Sequence, residues 1–264
     1  MKIKIIIFFF LFTAHAAFSQ GNFKLIASLP ISPDFLTTDK QGNIYIVKAN
    51  ELSKYNKVGK LIYKYSNKNL GNIDFIDASN MLRLLVFYQS FSQVLFLDNT
   101  LTQQGEPLSL DKIGFQQTQL VASSYNNGMW LSDQQNMQLV RLDNMLLKTQ
   151  ETGNLSRLLN NDITPTRLLE YDNTIYLYNP SSGMLMFDIY GTYYKTIPLQ
   201  NITSFQPLGE KVYYLKDTSI KSYNHKTLEE QDFEIPAVII QKFRIEMDVL
   251  IIQTADAVNI YTAY

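Results

Sequence analysis

The sequence predicts an all-β fold: a six-bladed β-propeller of four-stranded antiparallel blades, the last blade closed by the N-terminal strand. Two landmarks that recur in phase predict it, together with the turns between them. The first is a short β-branched or aromatic run, seen as IYIV (44–47), LLVF (84–87), MWL (129–131), IYLY (175–178), VYYL (212–215) and VLII (249–252). Their starts are spaced 40, 45, 46, 37 and 37 residues apart. The second is an apolar residue followed by Asn or Asp: Tyr55-Asn56, Leu97-Asp98, Leu142-Asp143, Phe187-Asp188 and Tyr223-Asn224, with Tyr261-Thr262 as a decayed sixth copy. Turn residues at 39–42, 77–80, 125–128, 171–173, 209–211 and 246–248 precede each copy of the first landmark. A period near 40 residues, built from short strands and turn punctuation, is the signature of propeller blades.

Taken in order, residues 1–4 are short and basic, 5–12 strongly apolar and 13–19 mostly small. That layout is a secretory signal peptide, cleaved after Ser19 or alternatively after Ala16, and it is too short to span a bilayer stably. No later segment reaches 18 apolar residues, so no transmembrane segment is expected in the mature chain. The propeller then occupies 20–264, and the expected location is the periplasm or the cell exterior.

Blade one (35–65) takes strands at 35–38, 43–47, 52–55 and 60–65. Blade two (73–105) takes 73–76, 82–87, 94–97 and an outer strand after Leu101. Blade three (119–149) takes 119–123, 129–132, 139–142 and 146–149. Blade four (165–197) takes 165–170, 175–178, 184–187 and 193–197. Blade five (204–233) takes 204–208, 212–215, 220–223 and 229–233. Blade six (240–261) has strands at 240–245, 249–253 and 258–261, one short of four. The strand at 23–29 has no blade of its own, so adding it to blade six closes the ring and leaves no large unpaired edge. Closure predicts that Lys24 and Tyr261 lie on neighbouring strands. Between blades three and four, 155–159 is expected to form one helical turn ended by Asn160-Asn161-Asp162.

Composition narrows the function classes. Aromatic residues make up 13% of the chain, which a β-rich fold hosts naturally. There is no cysteine, which removes disulfide, thiol-nucleophile and Cys-based zinc chemistry. Beyond the leader the only histidine is His225, in the turn at 224–227, so a polyhistidine metal site within one chain is excluded. The net charge is −1, and about −3 without the leader, so no nucleic-acid partner is expected.

Loops that join second to third strands collect on one rim of the ring, the side where loops vary without harming a core. The candidate ligand-binding residues there are Lys48, Asn50, Tyr88, Gln89, Asp133, Asn136, Tyr178, Asn179, Lys216 and Asp217. Such a polar, aromatic-edged rim suits a protein, peptide or glycan. No cofactor is expected. Under a metal-dependent alternative, Asp34 and Asp74, at matching places before the first strands of blades one and two, would supply oxygens to a Ca2+ ion at the channel mouth. Tyr45, Trp130, Tyr176 and Tyr213 read as blade-to-blade packing. Asp98, Asp143 and Asp188 read as turn residues whose side chains bond nearby backbone N–H groups.

Asp39-Lys40-Gln41-Gly42-Asn43-Ile44-Tyr45-Ile46 resembles the D-x-x-G-N-I-Y-V core of six-bladed propellers related to NHL repeats, and Leu52-Ser53-Lys54-Tyr55-Asn56 with Gly59-Lys60 resembles the piece that follows. Asn127-Gly128-Met129-Trp130 and Asp172-Asn173-Thr174-Ile175-Tyr176 are partial matches. The resemblance implies a binding scaffold, a lyase or a lactonase. The leader ending Ala-Phe-Ser-Gln looks like those of exported Bacteroidota proteins. The expectation is therefore an exported, non-enzymatic, monomeric binding propeller. A channel-mouth hydrolase or lactonase and a structural subunit of an envelope complex are the alternatives.

Overall fold

In a computed structural model, which describes residues 23–235 and 238–263, six four-stranded antiparallel sheets form a closed ring. The expected leader and its cleavage sites after Ser19 or Ala16 lie outside the described residues. Strand β1 (Phe23–Leu29) belongs to the last blade. Blade one is β2 (Phe35–Thr38), β3 (Ile44–Lys48), β4 (Glu51–Tyr55) and β5 (Leu61–Ser66). Blade two is β6 (Phe75–Asp77), β7 (Leu84–Tyr88), β8 (Gln93–Leu97) and β9 (Leu108–Ser109). Blade three is β10 (Val121–Ser123), β11 (Met129–Asp133), β12 (Gln138–Leu142) and β13 (Lys148–Glu151). Blade four is β14 (Arg167–Tyr171), β15 (Thr174–Asn179), β16 (Gly183–Asp188) and β17 (Tyr193–Ile197). Blade five is β18 (Ser204–Leu208), β19 (Lys211–Lys216), β20 (Ser219–Asn224) and β21 (Glu230–Phe233). Blade six is β22 (Lys242–Glu246), β23 (Val249–Gln253) and β24 (Val258–Ala263), with β1 outermost.

The closure is in register, with Lys24 opposite Thr262 and Leu25 opposite Tyr261, so the expected neighbours do lie on paired strands. Between blades three and four, α1 (Leu155–Leu159) forms as expected. The Asn154 side chain accepts from Arg157 N, and Asn160 ends the helix at φ 50°. Four inner strands start two residues later than the sequence pattern implies, at Phe75, Val121, Arg167 and Lys242. In blade two, Ile73 N donates to Ala49 O of blade one, which holds the start of that segment off its own sheet. The outer strand of blade two shrinks to two residues at 108–109, because Gln103 and Gln104 bridge to β8 first.

One five-residue turn recurs between third and fourth strands. In blades one to four it runs from Asn56, Asp98, Asp143 and Asp188, whose side-chain oxygen accepts the N–H groups two and four residues on. The fourth residue sits at positive φ: Gly59 at 80°, Leu101 at 63°, Leu146 at 64° and Gly191 at 85°. This is a type I turn with a following left-handed residue, and it explains the register shifts in blades one, three and four. The Asp39–Asn43 motif builds the same turn between β2 and β3, with Asp39 Oδ1 accepting from Gln41 N and Asn43 N. Leucine has no reason to occupy a left-handed position except where its side chain is buried, as Leu101 is and the exposed Leu146 is not. Leu146→Gly is therefore expected to stabilise the fold by about 0.5 kcal/mol in a urea titration, whereas Leu101→Gly destabilises it.

The core is divided among the six blade interfaces. Tyr45, Leu52, Leu84 and Val86 pack between blades one and two. Leu85, Val121 and Leu131 lie between two and three, and Trp130, Ile175 and Phe187 between three and four. Tyr176, Met186 and Tyr214 lie between four and five, Leu215, Phe243 and Leu250 between five and six, and Ile44, Ile251 and Ile260 between six and one. Tyr45, Trp130, Tyr176 and Tyr213 thus serve as inter-blade packing.

Candidate functional site

The innermost strands β2, β6, β10, β14, β18 and β22 line the central channel, and alternate side chains of a strand share a face. From the rim of second-to-third loops inward, that phase brings Phe35, Phe75, Arg167 and Lys242 to the axis, then Thr37, Asp77, Leu169, Gln206 and Arg244, then Tyr171, Leu208 and Glu246. The guanidinium of Arg167 lies 4.9 Å from the Phe35 ring centre and 5.0 Å from that of Phe75. It thereby reaches from blade four to blades one and two across the ring. Arg167 lines the spaces on either side of this plug, so it forms a floor within the channel.

On the side of the first-to-second hairpins, the channel opens into a pit of about 640 Å³ lined by five of the six blades. Arg167 and Arg244 are deep in it; Thr38, Asp77, Leu169 and Gln206 form its walls, and Lys40, Ser79, Asp172 and Met247 its mouth. Residues of blade three contribute to an adjoining recess of about 380 Å³ lined by Ser123, Tyr125, Glu170 and Tyr171. A single cavity of this size, mostly preformed and at an axis shared by several blades, is the form a small-ligand site takes.

Its lining carries Lys40, Arg167 and Arg244 together with Asp77, Glu170, Asp172 and Glu246, and the arginines lie deepest. Arg244 Nη2 donates to Thr37 Oγ1 at 3.1 Å, and Lys242 Nζ donates to the Asp34 carbonyl at 3.2 Å. Arg167 has no hydrogen-bond partner among the described residues, and neither arginine forms an ion pair with a described carboxylate. Burial, then the neighbouring Arg244 charge, pull Arg167 down to about 9, against the opposing pull of Asp77. Burial lowers Arg244 and Lys242 as well, and Lys242 is pushed further by both arginines. Two acids face these cations. Asp77 is engaged by Ser79 N at 2.9 Å and Ser123 N at 2.8 Å. Glu246 Oε1 accepts from Thr38 Oγ1 at 2.7 Å and Gln206 Nε2 at 3.0 Å.

Burial raises Glu246 above the ordinary glutamate range, with Thr38, Arg244 and Gln206 opposing. The folded state therefore holds this proton more tightly than the unfolded chain does. Glu246 favours folding below the ordinary glutamate range, and that advantage is lost as pH rises through the raised value. Glu246→Gln, which still accepts from Thr38 and Gln206, is expected to melt higher than wild type at pH 7. The difference should shrink as pH falls through the raised Glu246 value and be gone below about 4.5 in a series of thermal melts.

Polar side chains also stitch neighbouring blades around this mouth. The Gln206 amide pairs with the Ile245 backbone, donating to its oxygen at 2.7 Å and accepting from its nitrogen at 2.9 Å. Gly209 N donates to Tyr171 Oη at 2.9 Å, tying blade five to four. Glu170 ties four to three through Ser124, Tyr125 and Trp130.

The rim residues expected from sequence lie on the opposite face. Tyr88, Asp133, Tyr178 and Asn179 are buried there. Tyr178 Oη both donates to Ile202 O and accepts from Ile202 N. Asp133 caps its own loop through Gln135 N and Asn136 N, with Asn136 Nδ2 donating back to it at 2.7 Å. Asn179 accepts from Thr164 N and donates to Ser181 and Ser182. Lys48, Gln89, Asn136, Lys216 and Asp217 are exposed and Asn50 is half-buried, donating to Ser66. Asp34 and Asp74 play one part twice: Asp34 Oδ2 accepts from Ala49 N at 2.7 Å and Asp74 Oδ2 from Gln89 N at 2.7 Å, each fixing the loop of its own blade. Lys48 pairs with Asp34 at 3.0 Å. Among the described residues no group of three or more His, Asp or Glu is placed to hold a metal ion, and none of their helices is long and apolar enough to cross a membrane.

Sequence reasoning did not single out Arg167, Arg244 and Lys242. A signal was present: two of the chain's five arginines fall in inner-strand segments, in Arg167-Leu168-Leu169 and Phe243-Arg244-Ile245, where a core strand would carry an apolar residue.

No protein-family profile matches the chain, and no curated protein matches it. Solved propellers do match its shape. The WD40 domain of Neurospora crassa Pan2 aligns with TM-score 0.64 at 8% identity, over 92% of this chain and 96% of that one. A streptogramin B lyase aligns with TM-score 0.62 at 11% identity, over 93% and 99%. A catalytically inactive virginiamycin B lyase from Staphylococcus aureus, solved with quinupristin, aligns with TM-score 0.64 at 13% identity, over 92% and 100%. At these identities the likeness is one of fold: the chain is a β-propeller, similar in shape to a WD40 domain and to lyases alike.

Proposed function

We propose that the chain is an exported, non-enzymatic binding propeller, acting in the periplasm or outside the cell, and that it takes its ligand in the channel pit rather than on the loop rim. The pit itself carries this reading: about 640 Å³ of preformed space at the axis, walled by side chains from five blades. The leader-like layout of residues 1–19 supports export. On the rim, four of the ten candidate residues are buried, and Asp133, Tyr178 and Asn179 among them bond their own loops or neighbouring segments, so little of that set is free to grip a partner. The shape likeness to lyases keeps an enzyme as the second reading, with the same pit as its site.

The two faces separate in a binding screen of the mature protein against glycan and peptide arrays. Leu208→Trp fills the pit at its half-buried wall, while Asn50→Ala and Lys216→Ala alter the rim. Binding lost with Leu208→Trp and kept in both rim variants is the expected result. The reverse pattern moves the site to the rim.

A further inference from the structure

The pit holds two guanidiniums that no described carboxylate meets as an ion pair, although Asp77 and Glu246 face them. Both arginines are half-buried, and a guanidinium that has lost part of its hydration without gaining a contacting anion is poorly compensated. Arg167 stands at the floor against the rings of Phe35 and Phe75, lines the pit, and has no hydrogen-bond partner among the described residues for its five donors. Arg244 keeps one bond, to Thr37, which leaves most of its fork unused. The facing acids act on them through space and not by contact, since Asp77 accepts from Ser79 N and Ser123 N and Glu246 from Thr38 and Gln206. Above this floor Leu169, Pro207 and Leu208 supply an apolar stretch of wall beside Asp77 and Glu246.

We infer that the pit is an anion site: an organic oxyanion enters from the hairpin face and sets its charged group between Arg167 and Arg244, with an uncharged body along Leu169, Pro207 and Leu208. This rests on the pit being the ligand site and adds the chemical class that it takes. A carboxylate and a sulfate ester share the chemistry, because both offer coplanar oxygens to a guanidinium fork. A neutral ligand of the same size would displace water from both guanidiniums without supplying a contacting anion, so the pit discriminates by charge before shape. Arg167 reads the ligand and Arg244 assists it, since Thr37 already orients the latter.

The test uses the mature protein and follows the arginine Nε–Hε NMR signals during titration with benzoate, glucuronate and inorganic sulfate, with glucose as the neutral control. The expected result is a saturable shift of the Arg167 and Arg244 signals with at least one of the three anions and none with glucose. Arg167→Met should weaken that anion about tenfold or more, while melting no lower than wild type, because it removes a half-buried cation that has no contacting anion and keeps the packing on Phe35 and Phe75. No shift with any of the three anions overturns the inference, and so does an anion response that survives Arg167→Met. A lower melting temperature in Arg167→Met also overturns it, since the cation would then be holding the ring. If anions fail but a neutral glycan or peptide moves these signals and loses its effect in Leu208→Trp, the charge inference falls while the channel reading stands. If Leu208→Trp leaves all binding intact, both fall.

Discussion

Deleting Phe23–Leu29 should unfold this protein or reduce it to an aggregating remnant. The strand contributes six paired positions along β24, from Phe23 opposite Ala263 to Leu29 opposite Val258. At roughly 1 kcal/mol net per ladder hydrogen bond, that edge alone is worth several kcal/mol. Ala27 and Leu29 also pack into the layer between blades six and one, and Phe23 lies 6.0 Å from Phe233 in the layer between five and six. The total is on the order of 6–10 kcal/mol, comparable with the whole stability of a typical domain. Loss falls on the one joint where the chain's two ends meet, so the opened ring also exposes β24 as a long edge carrying Val258 and Ile260. The measurement is a urea titration of the truncated chain beside wild type, with light scattering. Adding the heptapeptide FKLIASL in trans should restore part of the transition, as strand addition to a sheet edge does. A truncated chain that melts within a few degrees of wild type and stays monodisperse would show that β1 is ornamental to closure.

The architecture was legible because its signals are local. Five-residue Asx turns, β-branched runs and their phase can be read within a single blade, and the unpaired segment at 23–29 followed from counting strands. The working surface was not legible for a reason built into strands. A shift of one residue in where an inner strand begins exchanges its channel face for its neighbour-facing side. Segments expected to start at 73, 119, 165 and 240 enter their sheets at Phe75, Val121, Arg167 and Lys242, a displacement of two residues that keeps the phase, but nothing in a short strand's sequence says which of its two phases faces the channel. Burial did not help either: all of β2 is buried, because one face meets the adjacent blade and the other the plugged channel. Polar residues in visible loops drew attention to the rim, where Asp133 and Asn179 turned out to be bonded within their own blades.

Glu170→Ala should be the most damaging single substitution at the mouth of the pit, lowering stability by roughly 3–5 kcal/mol. Its carboxylate accepts Ser124 Oγ at 2.6 Å, Trp130 Nε1 at 2.8 Å and Tyr125 N at 3.1 Å, all from blade three. Behind Ser124 stands the buried Arg141, whose Nε donates to Ser124 Oγ at 2.8 Å and whose Nη2 donates to Tyr125 O at 2.6 Å, with its guanidinium 3.6 Å from the Tyr125 ring centre. The acid and the base never touch, yet both bond to Ser124 and Tyr125. Alanine would strand the fully buried indole N–H of Trp130 and leave Arg141 without a nearby acid to balance it. Glutamine keeps the shape but offers one acceptor oxygen to three donors, so about half that loss is expected. Trp130 is the chain's only tryptophan, so its emission during denaturation reports on this interface alone. The two sites should couple: a cycle of Glu170→Ala and Arg141→Met is expected to return more than about 1 kcal/mol of interaction energy. A coupling near zero would mean that Ser124 and Tyr125 insulate the two charges and that the blade three to four joint rests on apolar packing. The contrast with Arg167 is the sharper point, because both residues lie in β14 and both reach the pit. Glu170 is fully bonded and its loss should weaken the ring, while Arg167 is unbonded and its loss should spare the ring and remove the ligand.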